Sequence, residues 1–464
     1  MEKKEIEITS LIDSAKYFGL PLAITVLTIF IMLVDGFDLQ TMAFVAPELV
    51  KEWGVARADL TPAVTASMVG MAIGSVLLGW AGDQIGRKSS YIICIAFLAV
   101  GSFFSAHANT LTDLTIWRVV TGIGLGGVTP LAATMISEWT PKHARNVAVA
   151  CAIVAVPLGG MVGASVSQWV IPAYSWRGVF WIGAILPLVF FVVAMFLLPE
   201  SPKYLAQRPH LHGRLAKLLN RLFREQRFTG KENFVVAEPP ALPGNWFATL
   251  LSPTYRSTTL LLWAAFAFNT LALYSYVNWL PTVLSSTGMS TADSLQGSKY
   301  LNFGGFFGAV GGAVLIGWWG SRYVGAALAS IGAIATFLIA MTILDNVGSL
   351  NSQSLVLLTM AGVAVNGMQS FLYTVGAHSY PTYIRATGVG CAQTVSRIGG
   401  FLGTVAGGSF FALKPQPPVS YFFFGVAIAI VLVVISFYSL RTHIPGNKAR
   451  LALEAQAAQK GGAR

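Results

Sequence analysis

The sequence predicts an all-α membrane protein of twelve transmembrane helices in two six-helix repeats, and three observations carry that prediction. Of 464 residues, 55% are hydrophobic and only 11% are charged, against about 25% charged in soluble chains; the mean hydropathy is +0.65. Hydropathy resolves twelve apolar spans, with one long polar stretch, 199–256, dividing them six and six. Five residues also recur 240 positions apart: Pro141, Arg145, Gly159, Gly160 and Gly163 match Pro381, Arg385, Gly399, Gly400 and Gly403. Such a shared register argues for structural repeats; convergent loop chemistry with glycine packing is the alternative. Parallel repeats place a binding site at their interface, near the bilayer midplane.

Composition excludes several classes. The formal net charge is +11, but no basic and aromatic module accompanies it, so no nucleic-acid partner is expected. Cys94, Cys151 and Cys391 lie within apolar spans and are spaced for neither disulfide nor metal. No metal-ligand cluster, phosphate-binding glycine loop or nucleophile triad is legible, so neither an enzyme nor a cofactor is expected. A membrane sensor is disfavoured, because no sizeable soluble signalling domain exists.

In chain order, residues 1–17 form a charged tail without a cleavage site, read as cytoplasmic rather than as a signal peptide. The first span, 18–44, carries only two charges, Asp35 and Asp38. A charge near mid-membrane costs about 2.5–3.5 kcal/mol on the insertion scale, and such residues usually serve ion, proton or substrate movement. Three residues apart, the two acids share a helix face that must look into protein or a watery cavity; a structural polar contact is the alternative. Proximity and desolvation both favour proton uptake, and Gly36 between them is expected to loosen the helix.

The second span, 60–81, leads into GWAGDQIGRK, Gly79 to Lys88. Here Gly79 permits close helix approach, Asp83 at a helix end can pair with a basic group, and Gly86 permits a tight turn. Arg87 and Lys88 hold the loop on the cytoplasmic side. Such an ion pair, formed in one conformation alone, is a latch; a static topogenic loop is the alternative. The third span is 90–106. The fourth, 113–138, opens on Arg118 before Gly122, Gly124, Gly126 and Gly127, which suit close packing. Arg118 is either a partner of the first-span acids or an interfacial anchor. Glu138 and Arg145, with Asp83 and Arg87, make a candidate gating cluster, and His378 holds the matching place in the second half.

The fifth and sixth spans are 146–170 and 177–198. In the polar stretch, Leu211, Leu215, Leu218 and Leu222 alternate with Arg214, Lys217, Arg221 and Arg224. This predicts a basic amphipathic helix, lying along the inner membrane face or tethering the halves. The later spans are 257–284, 295–318, 322–344, 354–379, 386–412 and 419–440. The expected domains are therefore 1–198, 199–256, 257–440 and a tail, 441–464. After the eighth span, GWWGSRYVG from Gly317 corresponds to the Gly79 loop, with Ser321 where the acid stands.

Arg397 lies about 17 Å along the eleventh span, near the midplane. It is a candidate for a substrate carboxylate, or else for an ion pair with Asp35 or Asp38. Aromatic and polar candidates are Tyr274, Tyr276, Asn278 and Trp279 in the seventh span and Asn366 and Gln369 in the tenth, with Asn302 weaker. Lys and Arg set orientation: 23 fall on the side of the N-terminus and five on the other, and 14 against five remain without the central loop. Both termini are thus expected in the cytoplasm.

GWAGDQIGRK resembles the loop signature of the major facilitator superfamily. Asp35-Gly36-Phe37-Asp38 resembles the first-span pattern of its aromatic acid:proton symporters, as does RVVTGIGLGGVTPLAATMISEWTPKHARN from Arg118. Val156 stands where the superfamily's antiporter motif has glycine, which favours symport. The resemblance implies the major facilitator fold and import of a benzoate- or hydroxybenzoate-like acid with protons, across a bacterial inner membrane, by a monomer. In that scheme Asp35, Asp38 and Arg118 couple protons and Arg397 takes the carboxylate. A related organic-anion or sugar porter, or an exporter, is the rival.

Overall fold

The computed structural model describes residues 5–223, 228–236, 246–342, 350–380, 382–440 and 442–446. Pro381, Arg224, the end of the ninth span and all but five residues of the C-terminal tail lie outside them. The long helices are α2 (Leu20–Trp53), α3 (Thr61–Ile85), α4 (Arg87–Ala106), α5 (Leu111–Trp139) and α6 (Lys142–Leu197), then α10 (Arg256–Ser286), α11 (Thr291–Trp319), α12 (Ser321–Thr342), α13 (Ser352–Ser379), α14 (Thr382–Ala412) and α15 (Ser420–Tyr438). Helix α6 is two spans joined by a break at Tyr174 and Ser175, so the described residues hold twelve spans, six in each half. The short helices are α1 (Ile8–Asp13), α7 (Pro202–Ala206), α8 (His212–Phe223) and α9 (Trp246–Leu250).

Helix starts follow local chemistry. Thr110 and Asp113 form a reciprocal capping box at α5, and Ser290 and Asn351 cap α11 and α13 through Asp293 N and Ser354 N. Gly86 (φ 103°) and Gly320 (φ 80°) precede α4 and α12 in the left-handed region that glycine tolerates. The first helix outruns its expected end, continuing through Pro47 to Trp53.

By contact density the chain forms two compact units, Met1–Val45 with Pro62–Pro239, and Ala46–Thr61 with Pro240–Arg464. Each repeats the other's helix contacts. A Cβ at Gly70 would meet Val119 O at 2.2 Å, and one at Gly304 would meet Thr359 O at 2.0 Å. Gly74 against Ile123 is matched by Gly308 against Val363, and Gly159 against Leu33 by Gly399 against Ala267. Only glycine allows backbones this close. The register is 234 over the first three spans and 240 over the fourth and fifth. Arg145 Nε donates to Thr140 O (3.1 Å), and Arg385 Nε donates to Tyr380 O (3.3 Å). The same register corrects the second loop: Ser321 begins α12 as Arg87 begins α4, so position 317, a glycine, and not Ser321, corresponds to Asp83.

Outside the spans, the first unit carries a small folded cap. Strand β1 (Glu5–Glu7) pairs in parallel with β2 (Asn233–Val235), a departure from all-α. Ile8, Ile12, Tyr204, Leu205, Leu215, Leu219, Phe228 and Phe234 share one apolar cluster. The α8 face expected along the membrane is therefore turned inward: Leu215 and Leu219 are buried against the N-terminal segment, while Arg214, Lys217 and Arg221 stay exposed.

Candidate functional site

Asp38 and Arg118 are both wholly buried and paired. Arg118 Nη1 lies 3.3 Å from Asp38 Oδ2, and its Nη2 donates to Asp38 O at 3.1 Å. Ser102 Oγ donates to Asp38 Oδ1 at 2.9 Å, and Arg118 Nε donates to Ser67 Oγ at 3.0 Å. The guanidinium also sits 5.9 Å from the Phe180 ring centroid. Four helices, α2, α3, α4 and α5, thus supply one buried charged knot. Arg118 is a partner of the first-span acids, not an interfacial anchor.

Asp35, one turn away on α2, is 5% exposed. Its Oδ1 has no hydrogen-bond partner among the described residues, and it lies within electrostatic reach of Asp38, Tyr91 and Cys94. That carboxyl oxygen is thus buried beside a second acid without a donor among the described residues. Gly36 does not loosen the helix. Helix α2 is continuous there, and a Cβ at Gly36 would meet Val156 O at 2.0 Å, so the glycine admits α6.

Around the Gly79 loop, Arg87 Nη2 pairs with Asp83 at 2.8 Å, Arg87 Nε lies 3.8 Å from Glu138, and Arg87 Nη1 donates to Gly82 O. Ser201 Oγ donates to Glu138, and Arg208 Nη2 donates to Asp83 O at 2.7 Å. Gly79 is not a close-approach point, since nothing lies within 4 Å of its Cβ position. Arg145 stands apart, paired with Asp13 of α1 at 2.5 Å. His378 is exposed and joins no such cluster among the described residues.

In the second unit, Arg397 is the sixteenth of 31 residues in α14 and is exposed, with Tyr373 in electrostatic reach. Gln369 Oε1 accepts from Asn269 Nδ2 at 2.8 Å, and Gln369 Nε2 lies 3.5 Å from Tyr373 Oη. Asn366 Nδ2 is buried with no partner among the described residues. Tyr274 is half-buried. Asn278 and Trp279 are instead structural. Asn278 Nδ2 donates to Thr404 Oγ1 (2.7 Å) and the fully buried Trp279 Nε1 donates to Thr404 O (2.8 Å), binding α10 to α14. Tyr276 is likewise held by Thr336, and Asn302 by Ser298 O.

Sequence reasoning missed Ser67, Ser102, Asn269 and Tyr373. A lone amide within an apolar run, AFAFNTLAL, is the signal that could have found Asn269.

A family model described as Major Facilitator Superfamily matches residues 28–404. The chain belongs to the Major Facilitator Superfamily. Among its relatives in that superfamily, the 4-hydroxybenzoate transporter PcaK of Acinetobacter baylyi is 32% identical over 88% of each chain. A gallate transporter of Pseudomonas putida is 31% identical over 93% of this chain and 95% of its own. The xylose transporter XylE of Escherichia coli, solved in an inward-open conformation, shares the fold with a TM-score of 0.70 at 16% identity, covering 92% of this chain and 98% of its own. The chain is thus a superfamily member allied to aromatic-acid transporters, not an enzyme.

Proposed function

We propose that this protein imports an aromatic carboxylate, benzoate- or hydroxybenzoate-like, together with protons, by alternating access in a bacterial inner membrane. The relatives named for 4-hydroxybenzoate, gallate and benzoate transport support the substrate class. The observation that carries proton coupling is the buried Asp38–Arg118 pair beside an unpartnered Asp35. Protonation of Asp38 would leave the buried Arg118 guanidinium without its counter-charge, and Asp35 is the adjacent group able to hold the proton meanwhile.

Arg397 is the carboxylate ligand in this reading, with Gln369 and Asn366 offering polar contacts and Tyr274 a ring face. Asp83, Arg87 and Glu138 form the gate, the termini lie inside, and one chain suffices. The test is uptake of labelled 4-hydroxybenzoate and benzoate into proteoliposomes under an imposed inside-alkaline pH gradient. Accumulation that a protonophore abolishes is expected. Asp35→Asn and Asp38→Asn should lose uphill uptake, while Arg397→Ala should weaken binding of the acid more than of its neutral amide. Accumulation indifferent to the gradient, or driven by its reverse, defeats symport.

A further inference from the structure

We propose that the first unit holds a binding site for the phosphate-bearing headgroup of an anionic phospholipid, in a crevice between the α3–α4 corner and the folded cap. The crevice encloses about 410 Å³. Ile85, Lys88, Ser89, Leu211, Arg214 and Leu218 line it, so two cations and a hydroxyl share an opening with apolar walls. Glu200 also lines it, but its carboxylate is engaged: Oε1 accepts from the backbone N–H groups of Lys88 (3.1 Å) and Ser201 (2.9 Å). Lys88 Nζ donates to Met195 O at 2.9 Å and has further N–H bonds to offer. Arg214 lines the crevice and makes no hydrogen bond or ion pair with any described residue.

Position decides the ligand. Val76, Leu77 and Trp80 line the exposed apolar side of α3, which ends at Ile85 on the crevice rim. Met195, two residues before the end of α6, is exposed beside the highly exposed Phe196. The two lipid-facing stripes therefore finish where the cations begin. A free phosphate would use the cations alone, whereas a phospholipid also lays its acyl chains on those stripes. Basic pockets beside transmembrane helices suit anionic headgroups, and each nearby Lys or Arg contributes on the order of 1 kcal/mol, or about fivefold.

Native mass spectrometry of the full chain in detergent, titrated with phosphatidylglycerol, phosphatidylcholine or inorganic phosphate, tests this. Phosphatidylglycerol should be retained in preference to phosphatidylcholine. Arg214→Gln should lower its retention about fivefold and Arg214→Glu further, with unchanged melting temperatures because the side chain is exposed. Millimolar phosphate should not displace it. Equal retention by wild type and Arg214→Glu, equal retention of phosphatidylcholine, or displacement by inorganic phosphate would each overturn the proposal. None of these readouts depends on transport, so failure here leaves the proton-coupling reading intact.

Discussion

Asp35 and Asp38 differ by three positions in sequence but by everything in their surroundings. Asp38 is held by Arg118, Ser102 and a fixed backbone geometry; Asp35 Oδ1 is held by nothing among the described residues. Removing one partner of a buried ion pair strands the other charge and costs about 3–5 kcal/mol. Asp38→Ala should therefore lower thermal stability in detergent by that amount. Asp35→Asn replaces a carboxyl lacking a donor with a neutral isostere, and should leave stability within about 0.5 kcal/mol of wild type or raise it. Both should lose uphill uptake. If Asp35→Asn melts as early as Asp38→Ala, the two carboxyls do not divide into one that holds the arginine and one that stores a proton. The sequence made the acids and Arg118 legible, because charge in an apolar span is conspicuous. Ser67 and Ser102 were not, since a serine bonding its own helix looks the same as one bonding a buried acid.

At the scale of elements, spans were legible from hydropathy, but the contacts between them were not. Gly36 was expected to soften α2; it instead admits the Val156 carbonyl. A methyl there has backbone in its way, and overpacking costs about 1–3 kcal/mol. Gly36→Ala should lower the melting temperature accordingly, as read by a thermal unfolding assay, and an unchanged value would mean the helices do not touch there. The link between the two spans of α6 is the other local surprise. Ser175 sits at φ 61°, ψ 177°, a conformation that disfavours a Cβ and costs on the order of 1–3 kcal/mol. Ser175→Gly should stabilise by about 1 kcal/mol, and Ser175→Val should destabilise. A neutral or destabilising glycine would show that the backbone is relaxed. The amphipathic α8 was legible as a helix but its face was misassigned, because periodicity identifies an apolar side without saying whether lipid or protein covers it.

Over the whole molecule, the repeat is architectural and the charge is not. Under the register set by the glycine contacts, Asp35 corresponds to Asn269, Asp38 to Ala272 and Arg118 to Leu358. Both units nonetheless close the start of their third span with the chain that follows their sixth. In the first, the Glu200 carboxylate accepts from Lys88 N. In the second, Ser321 N donates to Ile444 O (2.8 Å), Ile444 N donates to Ser321 Oγ (2.7 Å), and His443 Nδ1 lies 3.3 Å from that hydroxyl. With Ser321 Oγ already accepting from Ile444, its proton suits a neutral imidazole acceptor. Burial holds the His443 pKa below its usual value of 6.5, with Arg322 adding to the effect against a hydrogen bond to the Leu440 backbone. The sign follows: the unfolded or undocked segment binds protons more readily, so the staple is intact above pH 6.5 and is lost as pH falls below it toward the depressed folded value. Protection factors at Ser321 and Ile444, which allow for the slowing of intrinsic exchange in acid, should therefore show an extra step downward on acidification from pH 7 to about 5.5. His443→Phe should remove that extra step. If His443→Phe keeps the same acid-dependent opening, another group controls the staple.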